Sequence, residues 1–344
     1  MKIYDFGLNW DKDECLFTDL VEAGCRKKGL SFVQVTRNRV REAVKGLESN
    51  QLRIKVLLDT EATYDVPGDL FARVCYAVKD SGGVVINDPD RTRMAVDKAV
   101  MYYELLDSGI NTPYTVIVRN WEPTSFRLTA EERARLGIPF VIKPGCGWGH
   151  QGVVYNASGT IREIAEARNY DRGDNFLLQE KVNPLEWNRK RAWFRVFHVF
   201  DKIIPCWWDD RNGTYEHVTG DEFKALRLAT LAKYATRIGG MTRMTWFSTE
   251  IAMDKKNDQQ RFLSIDYVND QCDMTARSES PDGVPDNIVR VTANSIVDEA
   301  YRLIFGKDRA KGKKYTILLK KTGFFGIRGL GYPPDLLVHI PFKV

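Results

Sequence analysis

The sequence has six cysteines in 344 residues, but no C-x-x-C pair: Cys15, Cys25, Cys75, Cys146, Cys206 and Cys272 are scattered. That spacing argues against a disulfide framework or structural zinc and leaves reduced, packed thiols as the expectation. No run approaches the roughly eighteen apolar residues of a membrane span. The opening MKIYDFGLNWDKDE has no apolar stretch of the kind a secretory signal needs, so a cytoplasmic protein with no membrane partner is expected. Excess charge is also small, at +5, and much of it lies in KDRAKGKKYTILLKK. Without an accompanying nucleic-acid motif, that segment reads as a solvated basic loop. Internal repeats are lacking too. What is present is ordinary for a globular chain, 43% apolar and 28% charged, and long enough for two or three domains.

The first 88 residues alternate: KIYDFGLN, LSFVQV, IKVLLDT and GVVIND read as strands, with amphipathic helices CLFTDLVEAGCRKKG, REAVKGLESN and FARVCYAVKDSG between them. Strand–helix–strand alternation with short links predicts a parallel sheet covered by helices. Next, the pattern predicts one helix from about Thr92 to Leu106, capped by Asp90 and ended by Gly109. TPYTVIV is β-rich, and Thr129 with Glu132 forms a capping box ahead of the strand PFVIKP. Further on, RAWFRVFHVFDKIIPCWW reads as two strands, DEFKALRLATLAKYATRIGG as a helix, MTWFSTEIAM and RFLSIDYV as strands flanking the polar turn DKKNDQQ, and NSIVDEAYRLIFG as a helix.

The loop GCGWGHQG, with Gly145, Gly147, Gly149 and Gly152, follows Lys143 at the end of an apolar strand. A dinucleotide fingerprint needs a helix next and an acid about twenty residues on; the chain instead offers VVYN and Arg172. No G-K-[ST] supports a Walker loop, and no V-A-I-K or H-R-D follows for a protein kinase. A strand–glycine loop–strand remains, whose backbone N–H groups can approach phosphate oxygens unhindered by Cβ atoms. A strand-end lysine is costly unless it meets an anion or snorkels to water; the adjacent glycines favour the anion.

Glu250 and Asp266 are equidistant in sequence from Asp258. In a hairpin centred there they would lie opposite each other and repel, a cost that a divalent cation between them removes. Oxygen ligands alone suit Mg²⁺ or Mn²⁺. Two acids on a wet sheet face are the plainer alternative.

Taken in order, GVVINDPDRTRMAVDKAVMYYELLDSGINTPYT, PFVIKPGCGWGHQGV, NFLLQEKV, RAWFRVFHV, STEI and SIDYVND resemble the ATP-grasp superfamily over about residues 1–275, in the manner of carboxylate–amine ligases such as glutathione synthetase or the ribosomal-protein glutamate ligases. The resemblance implies an α/β fold: an N-terminal parallel α/β domain (1–88), a central lobe with the glycine loop (89–182) and a C-terminal lobe with the metal site (183–306), the two lobes clamping the nucleotide, then an extension (307–344). It implies that Lys98 and Lys143 hold ATP phosphates beneath the loop. Glu180, Lys181 and Val182 would form the adenine hinge, and Glu186 would meet the ribose. Arg195 would steady the transferred group, with Glu250, Asp266 and Asn269 as Mg²⁺ ligands. Two departures stand out. The family's acid-x-Asn ending is here DYVND, which needs a bulge to aim Asn269 inward or lets Asp270 serve. An arginine common after the next strand is replaced by Asp209 and Asp210. The implied activity joins a carboxylate to an amine through an acyl phosphate, on small-molecule or peptide substrates. A hydroxyl-phosphorylating kinase of the same fold and a non-catalytic nucleotide binder are the alternatives, and a homodimer is compatible.

Overall fold

The structure is a computed structural model that describes residues 1–147, 149–256, 259–306, 314–320 and 337–343. The pivot Asp258, most of the basic segment from Lys307, Trp148 of the glycine loop and most of the tail TGFFGIRGLGYPPDLLVHIPFKV lie outside the described residues.

The chain opens with β1 (Lys2–Asn9), α1 (Leu16–Lys27), β2 (Phe32–Val35), α2 (Val40–Glu48), β3 (Leu52–Asp59), α3 (Leu70–Asp80) and β4 (Val84–Ile86). The strands pair in parallel in the order β2-β1-β3-β4, with Phe6 opposite Phe32 and Val56. Side-chain alternation gives the sheet two apolar faces. Phe6, Leu8, Val56 and Leu58 join one core, Leu57 and Val85 the other.

The single helix expected from Thr92 is two: α4 (Pro89–Val96) and α5 (Lys98–Asp107). Asp97 divides them, its Oδ1 accepting from Ala99 N at 2.8 Å and Val100 N at 3.2 Å as the N-cap of α5. Asp88 plays the corresponding part at the start of α4, accepting from Asp90 N at 3.1 Å, while Asp90 itself binds Lys79 and Tyr76. Both starts obey capping chemistry; the expected cap was two residues late.

There follow β5 (Thr115–Val118), α6 (Ala130–Leu136) with its Thr129–Glu132 capping box, β6 (Phe140–Pro144), β7 (Val154–Ala157), α7 (Ile161–Ala167) and β8 (Phe176–Gln179). The sheet order is β5-β8-β6-β7, antiparallel throughout, over a core of Val116, Val118, Phe140, Ile142, Ile164, Phe176 and Leu178.

A two-residue ladder, β9 (Glu186–Trp187) with β10 (Lys190–Arg191), leads to β11 (Trp193–Val199), β12 (Lys202–Asp209) and β13 (Thr214–His217). The next expected helix also divides, into α8 (Gly220–Ala225) and α9 (Ala229–Thr242), because Arg227 takes the left-handed conformation (φ 53°). Then come β14 (Trp246–Lys256), β15 (Gln259–Asn269), α10 (Asp286–Phe305), β16 (Lys314–Lys320) and β17 (Leu337–Lys343). Helix α10 starts eight residues before NSIV, since Ile288, Val289, Ala293, Ile296 and Val297 already repeat at helical spacing and are buried.

The chain divides into two compact units. One comprises residues 1–92, 194–248 and 269–344; the other comprises 93–193 and 249–268. In the first, β12 pairs antiparallel with β11 and β13 and parallel with β16, which pairs antiparallel with β17. The second holds the β5-β8-β6-β7 sheet and most of β14 and β15. The lobe anticipated over 183–306 is thus shared between the units.

Candidate active site

Lys143, next to last in β6, is buried. Its ammonium donates to the Ile265 carbonyl on β15 at 2.9 Å and lies 5.5 Å from the Tyr267 ring centroid. Burial, reinforced by the neighbouring Lys98 charge, pushes the Lys143 ammonium down to about 8, and Asp266 and Glu250 oppose the drop. A buried charge needs oxygen partners, and the Ile265 carbonyl is one.

Lys98 reaches the same place from α5. The Asp97 cap fixes it as the first helical residue, and its backbone N–H donates to Gly145 O at 3.0 Å. Its ammonium donates to Gly147 O at 2.9 Å and sits 3.6 Å from Asp266 Oδ1.

The glycine loop is tied down at its start. Gly145 N donates to Asn175 O at 2.7 Å, and Cys146 N to Asp174 Oδ2 at 2.7 Å. A Cβ on Gly145 would stand 2.9 Å from Asp174 Oδ1, so only glycine fits. Gly152 combines a φ of +68° with a would-be Cβ 2.6 Å from the Tyr170 ring. Burial raises the Asp174 carboxyl to about 6; hydrogen bonds from Cys146 and Asn175 N–H groups resist that rise, and Asp97 and Asp171 add to it.

At the end of β8, Glu180 N donates to Tyr114 O at 2.8 Å. Burial would raise the Glu180 carboxyl, but the Lys256 ammonium (2.8 Å), the Tyr114 N–H and the Arg261 guanidinium (3.3 Å) hold it below the usual range. Lys181 donates to Asn156 Oδ1, Val182 is buried against Ala252 and Leu263, and Glu186 is exposed on β9.

Asp254 takes both guanidinium arms of Arg261, at 2.6 and 2.8 Å, and Thr249 Oγ1 donates to the Asp266 carbonyl at 3.0 Å. These bonds tie β14 to β15 at both ends of the pair. The Glu250 and Asp266 carboxylates both act on the Lys143 ammonium.

No family model and no curated protein matches the sequence. Solved structures do match. A RimK domain ATP-grasp protein from Sphaerobacter thermophilus superposes with a TM-score of 0.58 at 18% identity, covering 86% of this chain and 99% of that one. D-alanine–D-alanine ligase from Bacillus anthracis, complexed with ATP, superposes at 0.55 with 14% identity, over 89% and 98%. The chain has the ATP-grasp fold. Macrocyclase MdnB from Microcystis aeruginosa is a further structural neighbour, with TM-score 0.55 and 13% identity over 89% of this chain and all (100%) of its own.

Within this ATP-grasp fold the second unit brings together Lys98, Lys143, Gly145, Gly147, Glu250 and Asp266, with Gly149 and Gly152 further along the loop. Arg195 and Asn269 belong to the first unit. Arg195 lies opposite Cys206 on β12, its guanidinium carbon 4.7 Å from the Trp208 ring centroid. Asn269 ends β15, and its Oδ1 is buried without a hydrogen bond among the described residues.

The donor set fits a small hard cation. Among the described residues Asp266 Oδ1 is buried and accepts no hydrogen bond, and the Lys98 ammonium lies 3.6 Å from it; Glu250 adds a second carboxylate. Among the described residues no three His, Cys, Asp or Glu side chains form a metal cage. Mg²⁺ commonly takes one or two protein carboxylates and completes its shell with phosphate oxygens and water. Sequence reasoning missed Asp97, Asp174, Trp193, Lys256 and Arg261. Of these only Asp97, an acid directly before a lysine and a helical run, carried a local signal, that of a cap.

Proposed function

We propose that this protein is an ATP- and Mg²⁺-dependent carboxylate–amine ligase working through an acyl phosphate. The observation that carries the reading is the convergence of Lys98, Lys143 and Asp266 at the root of a glycine loop. Lys98 and Lys143 would bind the triphosphate oxygens, exchanging the Gly147 and Ile265 carbonyls for phosphate. Glu250 and Asp266 would hold Mg²⁺, which when bound neutralises charge on the phosphoryl oxygens. Glu180, Lys181 and Val182 would border the adenine and Glu186 the ribose; the sequence adds Arg195 and Asn269 to the set.

In the reaction a substrate carboxylate oxygen attacks the γ-phosphorus and ADP leaves. An amine then attacks the acyl carbon, expels phosphate and releases its proton, forming the amide. The glycine loop's part is to keep water from the acyl phosphate, which hydrolysis would waste. Neighbours of the same fold support this reading by their ligands and reactions: D-alanine–D-alanine ligase with ATP, and ligase PsnB with a precursor peptide and AMPPNP or with Mg and ADP. A peptide or amino-acid carboxylate is therefore the substrate class to try first, in the cytoplasm.

Hydroxylamine trapping tests the chemistry. With ATP, Mg²⁺ and a pool of amino acids and peptides, hydroxamate and ADP should appear together. ATP turnover that needs an alcohol acceptor and yields no hydroxamate would refute the ligase.

A further inference from the structure

Trp193 opens β11 half-buried, and its indole body packs against the cluster of Val182, Ala252 and Leu263. Its Nε1–H donates to Glu250 Oε2 at 3.0 Å. Backbone bonds clamp the surrounding strands: Met253 N donates to Ala192 O at 2.7 Å, and Leu185 N to Met253 O at 2.8 Å. The donor is thus carried on a segment that is hydrogen-bonded to the strand bearing Glu250.

We infer that Trp193 is a positioning residue for a divalent cation: its indole N–H orients the Glu250 carboxylate so that the carboxylate can ligate Mg²⁺ beside Asp266. The inference rests on the proposed reading of Glu250 and Asp266 as metal ligands. The chemistry favours an indole for this task. A carboxylate on a flexible side chain swings between rotamers, and a fixed donor to one oxygen sets the direction of the other. Lysine or arginine in that role would set a permanent positive charge against the incoming cation, whereas the indole N–H is neutral and donates only. The same indole packs against the small cluster that includes Val182 of the proposed adenine hinge.

Trp193→Phe removes the N–H and keeps most of the apolar body. Mn²⁺ affinity, read by electron paramagnetic resonance with a non-hydrolysable ATP analogue present, should fall about tenfold or more, the usual effect of losing such an outer partner. Binding of the same analogue in EDTA should not change, because hinge packing is kept. Mn²⁺ affinity within twofold of wild type in a folded variant overturns the inference. Glu250→Gln separates this failure from failure of the underlying reading: if that variant also binds Mn²⁺ normally, Glu250 is no ligand at all.

A measurement on the unmodified protein covers the case in which Trp193→Phe does not fold. With indole-¹⁵N labelling, Mn²⁺ should broaden one of the eight tryptophan N–H resonances far more than the rest. If no indole resonance broadens selectively, the inference is wrong.

Discussion

Replacing Lys143 by Met should separate stability from function, with opposite signs. The ammonium of Lys143 falls from 10.5 to about 8 because it is buried beside Lys98. At about 1.4 kcal/mol per pH unit, keeping it charged at neutral pH costs the folded protein about 3 kcal/mol. Truncation to an apolar chain of similar length removes that cost but leaves the Ile265 carbonyl without its donor, a loss of roughly 1–3 kcal/mol. Lys143→Met should therefore be as stable as wild type at pH 7, or more stable by up to about 2 kcal/mol. The sign with pH follows from linkage. A lysine whose folded pKa is depressed binds fewer protons folded than unfolded between pH 8 and 10.5. Wild type then recovers stability as pH rises through that window, and the advantage of the variant fades. Meanwhile nucleotide affinity should drop about 10–100-fold, the worth of a charge-assisted phosphate contact. Urea unfolding at pH 7 and pH 10.5, with calorimetry of ATP binding in Mg²⁺, reads all three. A variant destabilised at pH 7 by an amount that does not vary with pH would refute the argument that Lys143 is a buried charge held for an anion.

Three further outcomes follow. Asp174, raised from 3.8 to about 6, binds its proton more tightly folded than unfolded. Between pH 4 and 6, wild type should therefore lose stability relative to Asp174→Asn, and above pH 6 the gap should stay constant; parallel denaturation curves across that range would contradict it. Asp97→Ala removes the cap of α5 and should cost about 0.5–2 kcal/mol. It should also raise the KM for ATP through Lys98, so a destabilised variant with unchanged KM would count against Lys98 as a phosphate ligand. Gly152→Ala combines strained backbone with a clash on Tyr170; it should slow ATP turnover more than it lowers the melting temperature, and equal kcat to wild type would speak against a working loop.

The parallel sheet was legible because alternation and short links between β1, α1 and β2 obey local rules. That Lys143 ends an apolar strand ahead of a glycine loop was legible because Phe140, Val141 and Ile142 precede it and residues with no Cβ follow; its burial is what the structure adds. The break at Arg227 was not, since helical periodicity runs straight through it and only the observed dihedral interrupts it; at Asp97 the cap signal of an acid before a helical run was outweighed by the same periodicity. Trp193 reads in sequence as core, and its bond to Glu250 spans 57 positions of chain, beyond the reach of any local pattern.

The two compact units exchange the chain four times, between 92 and 93, 193 and 194, 248 and 249, and 268 and 269. Each exchange falls inside a regular element, α4, β11, β14 or β15, and none in a linker. No uninterrupted fragment can carry both lysines and both carboxylates without residues 194–248 travelling along, so excising the nucleotide half as a minimal domain would require rejoining the polypeptide, and cutting after Trp193 would discard Glu250 and Asp266 altogether.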